Sequence, residues 1–117
     1  ILAESSVPSD LTAAAGYVQS VRAARNYSGT ATTPVYTSPQ VAYADILKER
    51  RIELALEGHR YIDLKRLASK AGVTMDRNQT DDIVTVSNLA NGSHKYTLPI
   101  PLAEITANPN AQQNPGY

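Results

Sequence analysis

The chain has no cysteine, no phenylalanine and no tryptophan, and a single methionine. Without cysteine there is no disulfide, no zinc–thiolate centre and no thiol nucleophile. Without phenylalanine or tryptophan, the seven tyrosines are the only large rings, so any stacking on a ligand falls to them. An excess of charge is missing too. Eleven lysines and arginines balance eleven aspartates and glutamates, which argues against long-range steering to nucleic acid or an anionic lipid surface. No stretch reads as a membrane span and no internal repeat is visible. A phosphate-cradling glycine loop, a G-x-S-x-G elbow and an H-E-x-x-H helix are all absent. None of these motifs is there to call for a cofactor or a catalytic residue, and none is expected.

What is present is one domain's worth of chain. At 117 residues, 42% of them hydrophobic, it can build a modest core, burying about two-thirds of its unfolded surface. The opening "ILAESSVPSD" has no basic leader and no apolar run of signal-peptide length. Ile1 to Glu4 instead reads as the last turn of a helix, which suggests the C-terminal piece of a longer protein. Residues 1–72 read as helical, and residues 73–117 as a small hairpin followed by an extended strap.

Ser9 or Asp10 can cap a first long helix. In "LTAAAGYVQSVRAAR", Leu11, Ala14, Ala15, Val18, Val21 and Arg25 share one side at helical spacing. Most of that side is alanine, so a close helical partner is expected. Gly16 costs roughly 1 kcal/mol against alanine in a helix interior, and close packing is the expected reason for it. Residues 26–39, "NYSGTATTPVYTSP", read as a loop. Ser38 followed by Pro39 is a helix start. The helix that begins there is expected to kink or divide at Gly58, continue to Ala71 and stop at Gly72. "IVTVS" (83–87) alternates like a strand, with "HKYTLPI" (94–100) as its hairpin partner through "NLANGS".

Residues 45–66 hold 11 of the 22 charged side chains, six positive and five negative. The signs alternate, unlike a basic nucleic-acid face. Arg50 with Glu53, Glu57 with Arg60, and Asp63 with Arg66 are three apart, and His59 with Asp63 four apart, all facing spacings on a helix. Exposed pairs of this kind contribute a few tenths of a kcal/mol each. However, Ile46, Leu47, Ile52, Leu54, Leu56, Tyr61, Ile62, Leu64 and Leu67 surround the helix, so it should be covered on several sides. Partly buried arginines then need carboxylate partners. A structural ion network of Arg50, Arg51, Glu53, Glu57, Arg60, Asp63 and Arg66 is the expectation.

Glu53, Glu57 and His59 could suggest a carboxylate metal site, but a lone histidine beside ion-paired glutamates reads as structural, and no metal is expected. "DRNQTDDIVTVS" begins like a calcium loop at Asp76 and Asn78. It lacks glycine at the sixth position, Asp81, and the closing glutamate, at Ser87, so it is rejected as an EF-hand, with weak calcium affinity left open.

The closing "YTLPIPLAEITANPNAQQNPGY" (96–117) has one charged side chain, Glu104, and the four prolines 99, 101, 109 and 115. Pro99 and Pro101 remove backbone donors and favour an extended path at an edge or in a groove. A short helical turn fits residues 102–105. Asn108-Pro109 and Asn114-Pro115-Gly116 are turn sequences. Asn and Gln side chains can satisfy the backbone there. A strap wrapping the helical body, anchored by Leu98, Ile100, Ile105 and Tyr117, is expected.

"ERRIELALEGHRYIDLKRL" resembles the signature of the SusD/RagB family, ERR-x-EL-x-x-EG-x-R-x-x-DL-x-R, at Glu49, Arg50, Arg51, Glu53, Leu54, Glu57, Gly58, Arg60, Asp63, Leu64 and Arg66. The ending resembles that family's PIP-x-x-EI-x-x-NP-x-x-x-QNPGY, from Pro99 to Tyr117. "YVQSVRAARNYSG" is similar, more weakly, to its N-x-VR-x-RAG helix, with Gln19 in place of asparagine. Positions 56, 62 and 67, often aromatic in the family, are Leu, Ile and Leu. The resemblance implies a mainly α fold: the C-terminal part of a SusD-like helical domain, with the small β-hairpin and the Pro/Asn-rich strap. It also implies an outward-facing lipoprotein of the bacterial outer membrane that binds a glycan or peptide nutrient. Its partner would be a SusC-like TonB-dependent transporter, and its lipid anchor would lie in the missing N-terminal part. No ligand residues carry over from the family. Tyr27 and Tyr36, in the loop, are the candidates by residue type alone, and the fragment is expected to be mainly scaffold. The competing reading is a helical protein-interaction module unrelated to nutrient uptake. Unpaired arginines on an exposed charged helix would favour it.

Overall fold

A computed structural model describes residues 1–75, 80 and 88–117. Among the described residues five α-helices follow one another: α1 (Leu2–Ser6), α2 (Leu11–Arg25), α3 (Pro39–Glu53), α4 (Arg60–Ala71) and α5 (Leu102–Ala107). Helix ends fall where local chemistry satisfies otherwise orphaned backbone groups. The Asp10 carboxylate accepts from the Ala13 amide at 2.9 Å and starts α2. Ser38 Oγ accepts from the Val41 amide, with Pro39 pre-set in the first turn of α3. At the far end of α4, Gly72 takes φ 64° and its amide returns to the last carbonyls of the helix, the left-handed cap that glycine adopts without a Cβ clash. The long helix expected to bend at Gly58 is divided. α3 ends at Glu53, residues 54–59 form an irregular connection, and α4 begins afresh.

α2 packs on α1 and α3, and α3 packs most extensively on α4. The main core gathers Val7, Ala14 and Val18 with Ala42, Tyr43, Ile46 and Leu47 of α3 and Leu67 and Ala71 of α4. As expected, the α2 face is built on Ala14, Ala15 and Val18. Val21 at its end is 38% exposed. Gly16 corrects the sequence reading: a Cβ placed there meets nothing within 4 Å, so close packing does not explain it. The radius of gyration, 18.4 Å, exceeds the roughly 13 Å of a compact domain this long. The body is therefore elongated around a thin core.

A second, smaller cluster joins Leu64 and Ala68 of α4 to Tyr96, with Val73, Met75 and Leu89 beside it. The first strand of the expected hairpin, residues 83–87, lies outside the described residues. Its expected partner does not begin as a strand. His94–Tyr96 is a 3-10 turn whose start is capped by Ser93 Oγ, accepting from the Lys95 amide. A serine that caps a local turn competes with extended pairing. Among the described residues the β pairing is a single antiparallel bridge, Met75 with Leu89.

The tail folds back on itself. Gln113 accepts from the Ile100 amide at 2.8 Å and donates to the Ile100 carbonyl at 2.9 Å. Asn114 donates to the Leu98 carbonyl and the Tyr117 hydroxyl to the Thr97 carbonyl. Side-chain amides thus stand in for the ladder that the prolines prevent. Leu98 is 75% exposed, so it is no anchor to the helical body. The link runs through rings instead. The Tyr61 hydroxyl of α4 donates to the Tyr96 carbonyl. His94 meets Tyr117 edge to face at 5.0 Å. Gly116, at φ 97°, lies so close to His94 that a Cβ would come within 2.5 Å of the imidazole.

Candidate functional site

Asp45, Glu49 and Glu53 recur every four residues, which sets them one above another along one side of α3. That stripe faces two arginines of α2. Arg22 donates to Asp45 at 2.8 Å and to Glu49 at 2.7 Å. Arg25 donates through Nε to both oxygens of Glu53, at 3.0 and 2.9 Å. The Tyr36 hydroxyl adds a 2.8 Å bond to the other oxygen of Asp45. Burial, then the bond to Asp45, push the Tyr36 hydroxyl above its usual range. Burial works against the Arg22 charge, but its two carboxylate partners outweigh it and hold the guanidinium firmly protonated.

A second knot sits between α3 and α4. Asp63 is the one buried charged residue among those described, at 4% exposure. Its two oxygens are shared out: Oδ2 accepts from Arg50 at 2.7 Å and Oδ1 from Arg66 at 3.0 Å. Arg66 also reaches Glu4 of α1. Burial alone would raise the Asp63 carboxyl. The hydrogen bonds and charges of Arg50 and Arg66 overcome it and hold the carboxyl below its ordinary value. The two knots tie four helices together, α2 to α3, α3 to α4 and α4 to α1.

Of the seven network residues read from the sequence, the structure joins Arg50, Asp63 and Arg66 directly and sends Glu53 to Arg25 instead of Arg50. Arg60 is half-buried at the first position of α4. Arg51 and Glu57 are exposed and form no ion pair among the described residues. Sequence reasoning missed Glu4, Arg22, Arg25, Asp45 and Glu49 as members. The four-residue spacing of the three acids was the available signal.

The two loop tyrosines part company. Tyr36 packs against the main core with its hydroxyl engaged. Tyr27 is fully exposed on a turn braced by Asn26, whose side-chain oxygen accepts from the Ser28 amide and hydroxyl. Among the described residues no cluster of three or more histidine or acidic side chains is placed to hold a metal. No helix there is long and apolar enough to cross a membrane. The sequence segment resembling a calcium loop falls mostly outside the described residues.

The paired residues of α4 and most of those of α3 lie in the segment that resembles the ERR-x-EL motif, and Arg22 and Arg25 lie in the more weakly similar segment of α2. The model of the SusD family matches residues 3–117. The chain belongs to the SusD family. No curated protein and no solved structure matches it. In this SusD-family chain Arg50, Asp63 and Arg66 of the ERR and DL-x-R motifs are spent on one another, and Glu49 on Arg22. Their guanidiniums hold helices together, and the one buried carboxylate has both oxygens occupied.

Proposed function

We propose that this chain is the scaffold part of a cell-surface nutrient-binding protein, with a glycan as the ligand, that works with a SusC-like TonB-dependent transporter. The family match over residues 3–117 carries this reading. The function is binding, not catalysis. It takes place at the outer face of the bacterial outer membrane, on a protein held there by a lipid anchor outside this chain. The ion-pair geometry supports the scaffold role, because Arg22, Arg25, Arg50 and Arg66 are all engaged with carboxylates inside the chain. The same pairing counts against a charged helix kept free for a protein partner. Tyr27 is the residue best placed to add a stacking face for a sugar.

An antibody against this chain, used on fractionated source cells, tests the proposal. The expected signal is an outer-membrane band much larger than 12.6 kDa that protease removes from intact cells. A band confined to the cytoplasm would overturn it. Titration of the chain with polysaccharides is expected to show no tight binding. Tight binding would overturn the scaffold assignment while leaving the surface location standing.

A further inference from the structure

Apart from glycines, one described residue has a positive φ: Leu56, at 67°. A bulky side chain is rarely found there, because its Cβ crowds the neighbouring carbonyl. Its side chain is also fully exposed, so no burial offsets the strain. Strained residues of this kind are held at ligand clamps and switches more than elsewhere. Leu56 forms part of the lining of a cavity of about 320 Å³ between α3, α4 and their connection.

The cavity has two kinds of lining. Leu47, Leu54 and Leu56 supply apolar surface, and Arg50, Arg51 and Arg60 surround the single acid Asp63. Asp63 is committed to Arg50 and Arg66. Arg51 is exposed and has no ion pair among the described residues. A guanidinium offers a planar fork of donors that matches a carboxylate. No hydroxyl or amide side chain lines the cavity, which disfavours a neutral sugar. Leucines beside the guanidiniums disfavour a bare inorganic anion.

We propose that this cavity binds a small organic carboxylate with an apolar body, its carboxylate on Arg51 and its body against Leu54 and Leu56. The volume is at the small end of ligand pockets and suits a body of about eight carbons. This site is separate from the glycan reading and does not depend on it.

Octanoate is the probe, titrated into the whole chain by calorimetry and by amide chemical shifts, with acetate and octanol as comparisons. Saturable octanoate binding is expected, at least tenfold tighter than either comparison. Arg51→Ala should weaken it at least tenfold and Arg51→Lys less. Arg51 is exposed, so neither change should disturb folding. Leu56→Gly removes the apolar wall and relieves the backbone. It should weaken octanoate at least threefold while leaving the melting temperature equal or higher. The proposal fails if octanoate does not saturate, if octanol binds as well, or if Arg51→Ala binds like the parent.

Discussion

Asp63→Asn separates the charge of the central knot from its shape. The substitution keeps the side-chain volume but leaves Arg50, whose side chain is 22% exposed, and Arg66 facing a neutral group in a site where the carboxylate is only 6% exposed. A hydrogen bond to a charged group contributes about 1.5–3 kcal/mol, and the well-buried Arg50 bond should fall near the top of that range. The Arg66 side chain is 38% exposed, so solvent screening reduces its share to roughly 0.5–1 kcal/mol. The expected loss is about 3 kcal/mol, a large part of the 5–15 kcal/mol that holds an ordinary domain together. Urea unfolding followed by circular dichroism should show it as a lower midpoint with an unchanged slope. The pH dependence gives a second signature. The native Asp63 carboxyl titrates below its unfolded value of about 3.9. Its contribution is therefore complete above about pH 4 and is lost as pH falls through the lower native value. The gap between parent and variant should be constant from pH 5 to 8 and close below about pH 4. A loss under about 1 kcal/mol at pH 7, or a gap that does not narrow as pH falls below about 4, would refute the reasoning.

Gly16→Ala should stabilise the chain by about 1 kcal/mol, since alanine is the better helix former and the added methyl meets no atom. Thermal melts should show a rise of about 4 °C, and a fall would mean that the open space is needed. Tyr96→Phe should be neutral or stabilising by about 1 kcal/mol, because the buried Tyr96 hydroxyl has no hydrogen-bond partner among the described residues. A loss of more than about 1 kcal/mol in chemical unfolding would show that the hydroxyl is satisfied. Glu53→Gln removes a partner of Arg25 at the more exposed end of the α2–α3 stripe and should destabilise far less than Asp63→Asn in the same urea series. Equal losses would mean that burial is not what sets the scale.

The sequence by itself determined the family and the local punctuation of the helices. Asp10, Ser38 with Pro39, and Gly72 act on backbone groups within a few residues of themselves, so their effect can be read from neighbours in the chain. The apolar run of alanines marked the contact face of α2 for the same reason. Tertiary structure decided which charges meet. Arg50 and Glu53 are well spaced to pair along a helix, yet each turns to another helix. A local surface pair contributes only a few tenths of a kcal/mol, and a bond to a more buried carboxylate, such as Asp63, outweighs it. Arg22 and Arg25 find Asp45, Glu49 and Glu53 across 23 to 28 residues of chain, a distance that no helical spacing rule covers. The reason for Gly16 and the different fates of Tyr27 and Tyr36 were likewise hidden, because both depend on what lies in space beside the residue. The tail's amide pairing was foreshadowed by its Asn, Gln and Pro content. Which carbonyls those amides would reach was set only when residues 113–117 folded back on residues 97–100.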